Sequence, residues 1–462
     1  MRNMKHLRLM NIVLAGLVAT LSMACSNDSY EIPKGSDSVP QEGSEVEITK
    51  NSEGQWQLVV NKASYEVKGA AANHFYADVS NFGGNTIRLY SAKGDGVKDI
   101  MDDAFKSGLM VYLGLNMSAA TTFDYSDAEN VKKQKGNILT YVNKFKDHPA
   151  LLCWSLGNEI EASNDDNVNM WKAVGDLAKE IKAIDPKHPI TCALAGSGTE
   201  RLVNLCKYAP DIDFISVNSY YPSVGNIPDN LKSAGIDLPY MVTEFGPRGT
   251  WSMASESSRI LPWSDNYSTS SKALVEETST EKEAIYEKIW NEDIVANRNK
   301  GCLGGFIFVW GYQTHGEVLN WYGTHTKNRY AFGCCDAMEK CWTGDFPKNQ
   351  APRIESRSDM TMNGKVAEDA IRVTPGSSND AKVAASSPSG VNLTYHWFIF
   401  KEGDKDADGG IPNGIDGLIE KDNLPAIKFK APDEKGAYRL YVYALDDVNK
   451  KAASACIPFY VE

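Results

Sequence analysis

The chain is 462 residues long, 42% hydrophobic and 23% charged, with a formal net charge of −12. Such a length suits two packed domains, and such a composition suits hydrophobic cores in place of disorder. An acidic surface repels phosphate backbones and anionic head groups, which argues against nucleic acid and other polyanions and leaves uncharged ligands open.

The first 25 residues read as a targeting segment and not as fold. Arg2, Lys5 and Arg8 form a basic start, Ile12 to Met23 form an apolar stretch too short to span a bilayer, and LSMAC ends on Ala24-Cys25. A small residue followed by cysteine is the pattern of a lipoprotein cleavage site, although the leucine stands one place early; ordinary signal cleavage with Cys25 incidental is the competing reading. Lipidation at Cys25 is the expectation, with 26–46, rich in Ser, Asp, Glu, Pro and Gly, as a flexible tether. The chain is therefore expected to be exported and lipid-anchored at a bacterial outer membrane, cell surface or periplasmic face. Cys153, Cys192 and Cys302 lie in apolar runs and read as core. Cys334, Cys335 and Cys341 cluster without Cys-x-x-Cys or histidine spacing, so no metal is expected and disulfide pairings stay open.

Beyond the tether, short apolar runs alternate with amphipathic stretches. The runs are 58–67, 85–90, 109–116, 151–157, 189–195, 213–220, 239–244 and 302–310. Between them, segments such as 165–183 place Val168, Trp171, Val174, Leu177 and Ile181 at helical spacing. This alternation predicts an α/β fold, a (β/α)8 TIM barrel over 47–345. A doubly wound sheet would want a glycine-rich turn after its first strand, and Lys68-Gly69-Ala70 is too sparse for one. The Pro- and Gly-punctuated TGDFPKNQAPRI (343–354) then leads into strand-rich sequence: TYHWFIF (394–400), YRLYVYAL (438–445) and CIPFYV (456–461). Alternating apolar positions and the strand tryptophan Trp397 predict an immunoglobulin-like β-sandwich over 351–462. Within it, DKDADGG (404–410) imitates a calcium loop, but Ile415 stands where the bidentate glutamate belongs, so a solvated turn is expected.

Barrel active sites assemble at the C-terminal ends of the strands. Those ends offer Arg88 on the second strand, Asn158 and Glu159 on the fourth, Asn218 and Tyr220 on the sixth, Glu244 on the seventh and Trp310 on the eighth. Two glutamates from different strands facing one mouth meet the requirement for cleaving a glycosidic bond, one protonating the leaving oxygen and the other attacking the anomeric carbon. Each residue also has a plainer reading: Asn-Glu as a helix cap with a first-turn acid, Arg88 in a structural ion pair, Trp310 and Tyr220 as core. The coincidence of five strand ends favours catalysis.

WSLGNE (154–159) and VTEFG (242–246) resemble the motifs of clan A retaining glycoside hydrolases, and NTIRLY, VNSYY and GGFIFVW sit where the second, sixth and eighth strands of the family-two barrel would. The resemblance implies Glu159 as general acid and base, Glu244 as nucleophile, and Asn158 on the sugar 2-hydroxyl. It also implies Arg88 and Tyr220 beside the nucleophile, with Tyr221 the competing tyrosine, and Trp310 under the reacting ring. Barrel followed by sandwich is similar to the order in two-domain bacterial endo-β-1,3-glucanases, so the implied substrate is a β-glucan and no cofactor is implied. The long loops after the last two strands add Trp251, Trp263 and Tyr267, then Tyr312, Trp321 and Tyr322, as possible aromatic platforms for pyranose rings, with His315 and His325 beside them. A transglycosylase using the same covalent intermediate, and a surface glycan-binding lipoprotein without turnover, are the alternatives.

Overall fold

The computed structural model describes residues 32, 35, 39, 40, 42–263, 274–313, 321–402 and 414–462. The targeting segment with Cys25, most of the tether, Tyr267, His315 and the DKDADGG turn lie outside the described residues.

The fold opens with a small antiparallel sheet of β1 (Val46–Lys50), β2 (Trp56–Val60) and β3 (Ala63–Tyr65). This corrects one expectation, since 58–67 had read as the first barrel strand. Asn61 and Lys62 both take positive φ and fold the run back on itself as a two-residue hairpin turn. Neither residue is a glycine, which is why the run looked continuous. The sheet is tied to the start of the second barrel strand, where the Tyr65 hydroxyl donates to the Asn85 carbonyl at 2.7 Å.

The barrel proper is β4 (Val67–Ala72), β5 (Thr86–Leu89), β6 (Met110–Leu115), β7 (Leu151–Asn158), β8 (Ile190–Ala195), β9 (Ile215–Asn218), β10 (Tyr240–Phe245) and β11 (Cys302–Trp310). All neighbours are parallel, and β11 closes onto β4. Helices α1 (Val97–Lys106), α2 (Ala128–Phe145), α3 (Val168–Ile184), α4 (Thr199–Tyr208), α5 (Ile227–Ser233), α6 (Ser279–Lys288) and α7 (Gly333–Thr343) intervene or follow. On α3 the helical-period residues Trp171, Val174, Leu177 and Ile181 are buried, while Val168, at the helix's first position, is exposed, so periodicity located the face but not its start. Inside the barrel, Tyr112 and Phe306 meet edge to face with centroids 5.4 Å apart, and Phe306 fits because Gly69 leaves its space empty: a Cβ there would lie 2.4 Å from the ring.

Ser44, His188 and Asp185 form a hydrogen-bonded line, 3.0 Å from Ser44 Oγ to His188 Nε2 and 2.8 Å from His188 Nδ1 to Asp185. All three are buried, and Ser44 Oγ also lies 2.6 Å from the Leu151 carbonyl, so the trio pins the segment ahead of β1 to the base of the barrel.

The C-terminal region is a two-sheet sandwich. Its strands are β12 (Ala331–Phe332), β13 (Met360–Met362), β14 (Arg372–Val373), β15 (Ser378–Val383), β16 (Thr394–Lys401), β17 (Ala426–Lys430), β18 (Gly436–Asp446) and β19 (Lys451–Val461). One sheet runs β12-β19-β18-β16 with β14 also on β19, and the other runs β13-β15-β17. Trp397, Ile399, Leu440, Val442, Ile457 and Phe459 fill the space between the sheets. The alternate residues Phe398, Phe400, Tyr441, Tyr443 and Cys456 are also buried, in the core that the barrel shares. Both faces of β16 and β18 are thus covered, as continuous apolar runs require.

The two domains are joined by more than the crossing segment. Strand β12 follows the barrel's last strand yet pairs with β19, and two ion pairs cross the seam: the buried pair of Lys451 with Asp336, and the partly buried pair of Arg353 with Glu283 at 3.0 Å. Asp336 and Glu283 are held above the ordinary carboxylate range by burial, which their cations only partly offset. The eight described cysteines are all free thiols. Replacing Lys451 by Met is expected to destabilise the fold by about 3–5 kcal/mol at neutral pH, because it leaves Asp336 buried without its cation. An acid whose folded pKa is raised opposes folding as pH rises through that pKa, so the deficit should shrink towards pH 4. Urea unfolding at the two pH values measures both effects.

Candidate active site

Arg88 is the hub of the C-terminal mouth. Strand alternation points Arg88 and Tyr90 into the barrel from the second strand, above the Tyr112 ring, whose centroid lies 5.4 Å from the Arg88 guanidinium carbon. Arg88 Nη1 donates to Glu244 Oε1 at 2.9 Å, to the Thr243 carbonyl at 2.7 Å and to Asn218 Oδ1 at 3.1 Å. Its Nη2 donates to Asn158 Oδ1 at 2.6 Å. Burial works to lower the Arg88 pKa, but Tyr90 and Glu244 more than compensate and hold it above its ordinary value, so the cation persists.

Glu244 is buried and accepts from three donors: Arg88, Tyr90 at 2.9 Å and Tyr220 at 2.5 Å. Burial pushes both phenols well above their usual pKa, with the Glu244 charge adding to it, so each stays an O–H donor. Of the two candidate tyrosines, Tyr220 reaches Glu244, whereas Tyr221 lies under the Lys288 ammonium at 5.5 Å.

Glu159 sits just past β7 in a tight turn. Gly157 has φ 89° and no room for a Cβ, which would lie 2.6 Å from Ile160 Cγ2, and Glu159 itself has φ 50°. The turn is held by Glu159 N–H donating to the Ala193 carbonyl at 2.8 Å and by the buried Glu161 accepting from Ala195 N–H at 2.7 Å. Glu159 accepts one side-chain hydrogen bond, from Asn218 Nδ2 at 2.8 Å. Burial, then the Glu244 charge, push its carboxyl up to about 6, with the Asn218 bond pulling the other way. Asn218 also donates to Asn158 Oδ1 at 2.9 Å and accepts from Thr243 at 2.9 Å, so one amide links the environments of both carboxyl groups. Asn158 is exposed, and among the described residues both of its side-chain hydrogen bonds are to its oxygen.

The aromatic expectations divide. Trp251 is 55% exposed, its indole edge-on to Tyr220 at 5.3 Å, as a platform beside the mouth should be. Trp310 and Trp321 require correction. Trp310 is fully buried against Phe82, Trp342 and His325, because the register of β11 slips between Phe308 and Trp310 and turns the indole out of the barrel. The half-buried Phe308 occupies the inward position instead, 5.8 Å from Tyr220. Trp321 is fully buried, its N–H donating to the Arg248 carbonyl at 2.9 Å; it supports the loop and presents no face to a ligand. Tyr322 is also buried, in contact with Phe308 and Tyr220, and Tyr312 stacks on His74 at 3.7 Å. Trp263 packs on Tyr460 of the sandwich, away from the mouth. His325 is buried, and that burial pushes its pKa down to about 3, so it is a neutral core residue. Tyr90 and Phe308 were missed from sequence: the first stands one residue past its strand, and the second became visible only through the register slip.

A closed parallel barrel with a donor-held carboxylate and a proton-retaining carboxyl at its C-terminal mouth is the architecture of the TIM-barrel glycoside hydrolases. Comparison with known proteins agrees: residues 99–259, which contain both glutamates, match the model described as glycosyl hydrolases family 2, TIM barrel domain. A β-glucuronidase of Paenibacillus borealis is 26% identical over 133 residues, 27% of this chain and 21% of that protein. A probable mannan endo-1,4-β-mannosidase A-2 of Aspergillus terreus is 25% identical over 238 residues, 48% of this chain and 54% of its own length. Among solved structures, a GH2 β-galacturonidase from Eisenbergiella tayi superposes with a TM-score of 0.48 and 14% identity, covering 65% of this chain and 54% of that one. The chain thus spans between about a fifth and about half of the length of these two curated relatives.

The carboxyl environments are directly testable. With carboxyl-labelled glutamate, carbon NMR should show Glu159 titrating near pH 6, and Glu244→Gln should move that titration downward by removing the neighbouring charge.

Proposed function

We propose that the protein is a retaining β-glycoside hydrolase acting on a neutral β-linked polysaccharide. The observation that supports this most directly is the unequal treatment of two adjacent carboxyls: among the described residues Glu244 receives three side-chain donors and Glu159 receives one, with burial raising the latter to about 6. Glu159 gives its proton to the leaving oxygen while Glu244 attacks the anomeric carbon and forms a glycosyl-enzyme. Glu159, now ionised, then takes a proton from the water that releases the sugar. The Asn158 amide nitrogen would donate to the 2-hydroxyl. A neutral substrate is favoured because the site's guanidinium, Arg88, is already committed to Glu244, Asn218 and Asn158.

Within that class two substrates have support. The order of barrel and sandwich favours an endo-acting β-1,3-glucanase, and the mannanase names among the relatives favour β-1,4-mannan. A panel of linkage-defined β-glucans, β-1,4-mannan and an aryl β-glucuronide separates these readings. Binding without release of reducing ends would instead leave a glycan-binding protein, and sugar transfer to an added glycan acceptor would show a transglycosylase. Export and lipid anchoring through Cys25 are part of the same proposal, and labelling with a radioactive fatty acid, lost in Cys25→Ser, tests them.

For the hydrolase, Glu244→Gln should abolish turnover. Glu159→Gln should slow substrates with poor leaving groups by about 10²–10⁴-fold, and activated aryl glycosides less. The free enzyme's kcat/KM should fall above about pH 6 as Glu159 loses its proton, and proton NMR should show a product that keeps the β configuration.

A further inference from the structure

The loop that follows β10 is anchored by the sandwich as much as by the barrel. Trp251 stands near its start, and from there a chain of ion pairs runs through the loop. Arg248 donates to Glu256 at 2.7 Å, Arg259 to Glu256 at 2.9 Å, and Arg259 to Glu277 at 2.6 Å. Arg259 also donates to the Val275 carbonyl at 2.9 Å, and the backbone pairs again as Val275 N–H to the Arg259 carbonyl at 2.8 Å. Segment 274–277 is therefore the base on which 248–260 rests.

That base is gripped from the other domain. Arg439 on β18 donates to the Leu274 carbonyl at 2.7 Å, and the Tyr441 hydroxyl, two residues along the same strand face, donates to Glu276. Leu261 and Val275 are buried in the core between the two sandwich sheets, and Trp263 lies against Tyr460 at 5.6 Å. Seen from the barrel side, the same loop touches the mouth through Trp251 on Tyr220, which in turn donates to the nucleophile candidate Glu244. A loop this long, unsupported, would sample many conformations, and ordering it only when a ligand binds would cost affinity.

We propose that the sandwich is a positioning element for the active-site loop: through Arg439, Tyr441 and Tyr460 it holds Trp251 at the mouth, and so sets the preference for extended glycans over short glycosides. This rests on the glycoside-hydrolase reading above. The residues concerned touch no reacting atom, and their effect is confined to the part of the substrate beyond the bond being cleaved.

The test uses the full chain with Tyr441→Phe and Trp263→Ala, and with Trp263→Phe as the conservative partner. Hydrogen exchange in peptides covering 248–260 should speed up in the first two variants and return towards wild type in the third. On an oligosaccharide of the active polymer, KM should rise about ten- to a hundredfold in the first two, with kcat and the kinetics on a short aryl glycoside unchanged. In a Trp251→Ala background, adding Tyr441→Phe should have no further effect on the oligosaccharide. Unaltered exchange in 248–260, or equal losses on long and short substrates, would overturn the proposal. Should wild type cleave neither substrate, the hydrolase reading fails on its own, and calorimetric affinity for the oligosaccharides, compared between wild type and variants beside the exchange data, still decides the positioning role.

Discussion

A guanidinium that cannot shed its proton, buried on the axis of a barrel, demands acceptors on every side. Arg88 answers that demand at its two terminal nitrogens with Glu244, the Thr243 carbonyl, Asn218 and Asn158, drawn from the seventh, sixth and fourth strands, while its Nε is left without a partner among the described residues. The convergence of those strand ends is thus enforced electrostatically as well as by closure of the sheet. Removing the arginine would leave an ionised carboxylate without its cation. Removing Asn158 would take away the acceptor of Nη2.

The same network divides labour between the two carboxyl groups. Each is a glutamate at a strand end, so chemical identity does not separate their roles; surroundings do. Glu244 accepts from Arg88, Tyr90 and Tyr220, while Glu159 is raised by burial and by the neighbouring Glu244 charge. Asn218 stands between them, bonded to Glu159 and to the arginine that serves Glu244. A displacement of this one amide would therefore perturb both groups together, which is a reason for its complete burial and full set of partners.

Much of the mouth was legible as sequence because barrel strands are regular: once the apolar runs were marked, Arg88, Asn158, Glu159, Asn218 and Glu244 fell at their ends. What escaped lay where regularity fails. The Asn61-Lys62 reversal carries no glycine, so a hairpin passed for a strand. The slip near Val309 exchanged Trp310 for Phe308, a difference of two residues that alternation alone cannot detect. Tyr90 stands one residue beyond Leu89, the last of its strand, where alternation no longer tells which way a side chain points. Trp321 illustrates the opposite limit: an aromatic in a long loop is as readily its core as its face, and composition does not distinguish them. Least legible was the seam between the domains, since Glu276 with Tyr441 and Asp336 with Lys451 are separated by more than a hundred residues and obey no short-range pattern.

That seam bears on how the chain is made. Ribosomes deliver β12 and α7 long before β19, so Asp336 and the free edge of β12 exist for the whole synthesis of the intervening residues without the strand and the ammonium group that complete them. The packing across the seam is therefore complete only once β19 has docked on β12 and Lys451 has reached Asp336.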